Sequence, residues 1–117
     1  MAFGFPAYHE EEEEIQQSPA MILKAAAEAF ESLGWSYRTS GAGFTCSTPF
    51  HLATWGERIT VDVSLDRILF VRSECRFPSI WNDWGRNRTV VNQFMDAFYD
   101  ELDALSVERQ RTRALDR

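Results

Sequence analysis

The chain has 117 residues, 44% of them hydrophobic, which suits one domain whose core needs no disulfide or metal staple. Its formal charge of −6 argues against general nucleic-acid binding, which needs a basic footprint to displace counterions. Residues 1–57 carry eight acids and two bases while residues 58–117 carry ten of each, so a local arginine cluster that recognises a small anion stays open.

No stretch approaches the roughly 20 apolar residues needed to span a bilayer, and MAFGFPAYHEEEEE lacks the pattern of a secretory signal. A cytoplasmic location is the expectation. Cys46 and Cys75 form no CxxC pair and define neither a disulfide framework nor a zinc site; both are expected as small buried residues. No metal or cofactor is expected.

Residues 1–17 are expected as a flexible acidic arm. Phe3, Phe5 and Tyr8 precede His9 and five consecutive glutamates, like charges repel there, and the run lacks the periodicity of a core-facing element. One histidine in such a run gives no fixed ligand geometry.

Ser18 and Pro19 predict a helix start, since the serine oxygen accepts an orphan amide proton and proline suits the first helical position. Ile22, Ala25, Ala26, Ala29, Phe30 and Leu33 recur at three- and four-residue intervals, giving an apolar stripe that ends at Gly34. WSYRTSGAGFTCSTPF then reads as a hairpin turning at Gly41 and Gly43, with Trp35 and Tyr37 on one face and Phe44 and Cys46 on another.

RITVDVSL alternates Ile59, Val61, Val63 and Leu65 with polar residues, the signature of a strand buried on one side, and ILFVRSEC is a fourth strand. A two-residue turn at Asp66 and Arg67 is taken to pair Val63 with Phe70, and a three-residue loop to pair Val63 with Val71. The longer loop is preferred because it puts Leu69, Val71, Ser73 and Cys75 on the apolar face and leaves Ile68 and Phe70 on the other.

The last helix begins near Gly85 or Arg86, uses Val91, Phe94, Phe98, Leu102 and Leu105 as its stripe, and ends near Leu105 or Ser106. Residues 107–117 form a charged C-terminal tail without a clear apolar face, frayed or disordered. The expected architecture is therefore α+β: a four-stranded antiparallel sheet with two helices on one face, in the order α-β-β-β-β-α, over residues 18–106.

SIWNDWGRNRTVVNQF joins the fourth strand to the last helix. Asn82 or Asp83 stands where a side-chain oxygen caps helix amides, and Gly85 permits a tight approach. Structurally, Trp81 and Trp84 then plug the helix onto the sheet edge and Asn87 fixes the connection through local hydrogen bonds. Functionally, the helix start with Arg86 and Arg88 offers donors to a carboxylate or phosphate, with an aromatic wall for contact area.

PFHLATWGERITV puts Trp55 and Glu57 just before the clearest strand, so Trp55 is expected to meet Trp81 or Trp84 across one end of the sheet. Glu57 is read first as a structural ion-pair partner, with Arg86 or Arg88 among its candidates, ahead of any catalytic role. His51 has no companion serine, cysteine or second ligand, so no catalytic residue is assigned.

WGERITV and DWGRN together resemble a pair of motifs in small uncharacterised bacterial domains, in which the first precedes a central strand and the second opens the last helix. The resemblance spans residues 19–105, marks Trp55, Gly56, Glu57, Asp83, Trp84, Gly85 and Asn87, and implies a shared α+β fold without an activity.

Three functional classes follow. The leading one is a noncatalytic domain that binds a protein or a small anionic ligand through the aromatic loop edge, with Trp55, Glu57, Trp81, Trp84, Arg86, Asn87 and Arg88 as candidate binding residues. The second is a small enzyme with acid and base among His51, Glu57 and Asp83. The third is a homo-oligomer built through a sheet edge or the face bearing Ile68 and Phe70.

Overall fold

The structure, a computed structural model, describes residues 8–47, 57–75 and 86–115. Its elements are β1 (Tyr8–Glu14), α1 (Pro19–Leu33), β2 (Ser36–Ser40), β3 (Gly43–Ser47), β4 (Glu57–Val63), β5 (Ile68–Cys75) and α2 (Arg86–Leu115). The strands make one antiparallel sheet in the order β1-β5-β4-β3-β2, with the core residues of both helices packed on one face. The α+β class holds, with five strands where four were expected.

The fifth strand comes from the segment expected as a flexible arm. Tyr8–Glu14 pairs along β5, from Tyr8 opposite Glu74 to Glu14 opposite Ile68. The strand holds because alternate glutamates face opposite ways. Glu10 meets Arg72 at 3.0 Å on the open side, and Glu13 accepts a hydrogen bond from the Tyr99 hydroxyl of α2 on the helix side. Arg72 also lies 4.2 Å above the Tyr8 ring, a cation–π contact that fastens the start of the strand.

Helix α1 has the termini its sequence predicts. The Met21 amide donates to Ser18 Oγ at 3.3 Å, and Gly34 sits at φ 73°, where its amide donates to Glu31 O and that of Trp35 to Phe30 O. This is the Schellman arrangement, which uses up otherwise orphaned carbonyls. Ile22, Ala25, Ala26, Ala29 and Phe30 are buried, and the alanines bring the backbone close to its neighbours. The Phe30 ring stacks on Tyr37 at 5.3 Å and lies 4.9 Å from Phe94 of α2, so one ring joins both helices to the sheet.

In the β2–β3 hairpin Gly41 takes φ 57° in the two-residue turn. Gly43 serves a different need from the turn expected of it: a Cβ there would stand 1.7 Å from the Val61 carbonyl oxygen, so the glycine lets β3 and β4 approach.

Between β4 and β5 the three-residue loop is the observed one. The Arg67 amide donates to Ser64 O, and the Ser64 amide to Ile68 O, each at 3.0 Å. This loop pairs Val63 with Leu69, not with Val71 as expected. A two-residue shift keeps side-chain parity. The predicted faces therefore survive, with Leu69, Val71 and Ser73 buried and Ile68 and Phe70 half-buried on the open side.

Helix α2 buries Val90, Val91, Phe94, Met95, Phe98, Leu102 and Leu105, then continues to Leu115 as an exposed extension. The expected stop near Ser106 is thus corrected. Past Leu105 the apolar stripe ends, but glutamate, arginine, glutamine and alanine keep the helix by intrinsic preference. No helix among the described residues is long and apolar enough to cross a membrane.

Candidate functional site

The predicted site residues divide into two groups. Trp55, Trp81 and Trp84 lie outside the described residues, as do His51 and Asp83. Glu57 opens β4, Arg86 opens α2, and Asn87 and Arg88 stand in the first turn of that helix.

Glu57 and Asn87 are core residues. They are 1% and 0% exposed, and Ser73, in the middle of the sheet, is 0% exposed as well. The Ser73 hydroxyl donates to Asn87 Oδ1 at 2.7 Å, which ties β5 to the start of α2. Glu57 stands opposite Cys75 and Ser73 opposite Ile59, so Glu57 and Ser73 are diagonal neighbours on the covered face. A small polar group therefore sits on the covered face beside the buried apolar residues of β4 and β5. Arg88 points to solvent, so Asn87 and Arg88 part company within one helical turn.

Histidine 9 also reaches this group, a placement its position in the glutamate run concealed. It pairs directly across from Ser73 on the covered face, and its Nε2 lies 3.3 Å from Glu11 Oε1. Ser73 and His9 are the residues that sequence reasoning passed over. Ser73 was assigned only a face, and the signal for His9 was its even spacing with Glu11 and Glu13, which a strand converts into one side.

The chemistry open to this group is limited by what Ser73 does with its proton. A serine nucleophile needs a base within about 2.6–3.2 Å that can accept that proton. Here the hydroxyl donates to a carboxamide oxygen, which is no base at neutral pH, and the interaction seen for His9 is with Glu11. Among the described residues no cluster of histidine, cysteine, aspartate or glutamate is arranged to hold a metal ion. The polar group is suited to fastening strands to a helix.

Two segments outside the described residues start and finish near this group. Residues 48–56 run from Ser47 to Glu57, and residues 76–85 run from Cys75 to Arg86. Ser47 pairs with Arg58, and Glu57 with Cys75, so the strand ends that bound these segments are neighbours at one end of the sheet. Hollows lie elsewhere among the described residues. One of about 580 Å³ lies between the start of α1 and the exposed part of α2, beside Met21, Lys24, Leu105 and Arg109. Another, of about 330 Å³, lies on the open sheet face beside Arg38 and Arg58.

No family model matches the chain, and no curated protein matches it.

Proposed function

We propose that this domain is a noncatalytic binding module that holds a protein or a small anionic ligand at the loop edge carrying Trp55, Trp81 and Trp84. The observation that supports it is the pairing of Glu57 with Cys75, since each of these residues bounds one of the tryptophan-bearing segments. Two segments rooted side by side on the sheet, carrying three tryptophans between them and the second followed by Arg86 and Arg88, have the composition of a binding hot spot. The buried bond between Ser73 and Asn87 adds to this, because it holds the helix start against the sheet without spending a surface residue. In this reading Trp55 and Trp84 contact the partner, Arg88 supplies charge at the rim, and Glu57 and Asn87 act only as anchors. The shared WGE and DWGRN motifs then mark a common scaffold.

The test compares wild type with Trp84→Ala in a pull-down from cell lysate, after circular dichroism shows both to be folded. A partner held by wild type and lost by the folded variant supports the loop edge. The same partners held equally by both overturn it.

A further inference from the structure

The open face of the sheet, opposite the helices, carries its own set of polar side chains. Its residues form rows across the strands. Ser36, Ser47, Arg58, Glu74 and Tyr8 make one row, and Arg38, Thr45, Thr60, Arg72 and Glu10 make the next. The three arginines on this face behave differently. Arg72 is engaged by Glu10 and by the Tyr8 ring. Arg38 and Arg58 are exposed, and neither has a carboxylate within ion-pairing distance among the described residues, although Glu74 stands opposite Arg58 in the register.

These two arginines stand on either side of a hollow of about 330 Å³ lined by Ser36, Tyr37, Arg38, Thr45, Ser47 and Arg58. Two strand spacings and one pleat separate their Cα atoms by about 12 Å. That span lets both guanidinium groups lean over Thr45 and Ser47 on β3, whose hydroxyls face the same side. On β4 and β5 two acids share this face, Glu74 opposite Arg58 and Asp62 two residues past Thr60, and neither is ion-paired with Arg38 or Arg58. The glutamates of β1 lie four strand spacings from Arg38, about 19 Å, and two from Arg58, about 10 Å, against a Debye length of about 8 Å at physiological salt.

We propose that Arg38, Arg58 and the hydroxyls of Thr45 and Ser47 form a binding site for a phosphate monoester of a small molecule. A carboxylate is satisfied by one guanidinium fork, whereas a phosphate dianion presents three strong acceptor oxygens to donors arriving from several sides. Two forks from opposite sides with hydroxyls between them match the second geometry.

The experiment is an NMR titration of the full chain with inorganic phosphate, with ionic strength held constant by chloride, following backbone amides and arginine side-chain signals. Saturable shifts confined to Arg38, Thr45, Ser47 and Arg58 are expected, with Kd of about 1 mM or tighter. Arg38→Gln and Arg58→Gln, each verified as folded by its amide spectrum, are expected to weaken binding about tenfold, and Arg111→Gln on α2 to leave it unchanged. Linear, unsaturable shifts in wild type, or equal affinity in both sheet variants, overturn the site. Acetate is expected to produce no saturable response, and an acetate response equal to that of phosphate overturns the assignment to a phosphate ester.

Discussion

Ser73 and Asn87 share a 2.7 Å hydrogen bond in the interior, with neither residue reaching solvent. Removing one partner takes a hydrogen bond from the other in a place where water does not replace it. Ser73→Ala and Asn87→Ala are each expected to cost about 1–3 kcal/mol. A double-mutant cycle by urea denaturation checks this, and the two costs are expected to be non-additive because the shared bond is already lost with the first change. Additive costs would show that the bond contributes nothing of its own.

Arg67 occupies the left-handed region at φ 66° in the β4–β5 loop. A side chain with a Cβ carries a cost there of about 1–2 kcal/mol, partly offset in a glycine variant by the greater freedom of its unfolded chain. Its guanidinium also reaches the Gln16 carbonyl at 3.4 Å, a long and exposed contact. Arg67→Gly is therefore expected to raise stability by up to about 1 kcal/mol, measured as a shift in the urea midpoint at constant slope. A lower midpoint would mean that the Gln16 contact outweighs the backbone strain.

Gly43→Ala is expected to be the most damaging single-methyl change in the sheet. The added Cβ would stand 1.7 Å from Val61 O and 2.7 Å from Val61 C, and neither is the end of a flexible side chain. Overpacking against backbone calls for a cost of about 3 kcal/mol or more. Urea denaturation gives the value, and a loss below about 1 kcal/mol would show that β3 and β4 separate easily.

Burial pushes the Cys46 thiol up to about 12. The raised folded value disfavours the thiolate in the native state. Its contribution to stability is complete below the unfolded value of about 8.5 and is lost as pH rises through that value towards 12. Wild type is therefore expected to lose stability relative to Cys46→Ala above about pH 8.5, by up to about 1.4 kcal/mol per pH unit. Denaturation series at several pH values check the sign, and a constant difference would show that the thiol is not excluded from water. In a Cys75→Ser background, alkylation of Cys46 is expected to wait for unfolding.

The sequence was most readable where side-chain chemistry and backbone geometry pointed the same way. Ser18, Pro19 and Gly34 bound α1, and the alternation from Ile59 to Val63 puts the right residues inside. β1 escaped because the usual strand signal is an apolar face, and here both faces are glutamate. What places it is an available edge on β5 together with Arg72 and Tyr99, each far away in sequence. The end of α2 escaped for the opposite reason, since its last turns are helical without burying anything. Within the candidate site, the expected hydrogen-bonding role of Asn87 was legible from its place at the helix start. Its partner Ser73 was not, because strand register and helix placement must both be known before the two can be matched.

The pairing of β1 with β5 has a consequence for how the chain is made. Glu11 and Val71 are partners across about sixty residues, so an early segment waits while α1 and three further strands emerge. During that wait a strand of ordinary apolar composition would be free to seek other edges. A run of glutamates repels its own kind and stays hydrated until Arg72 and Tyr99 arrive. The acidity of β1 thus disfavours pairing with edges other than that of β5, where Arg72 and Tyr99 meet its carboxylates.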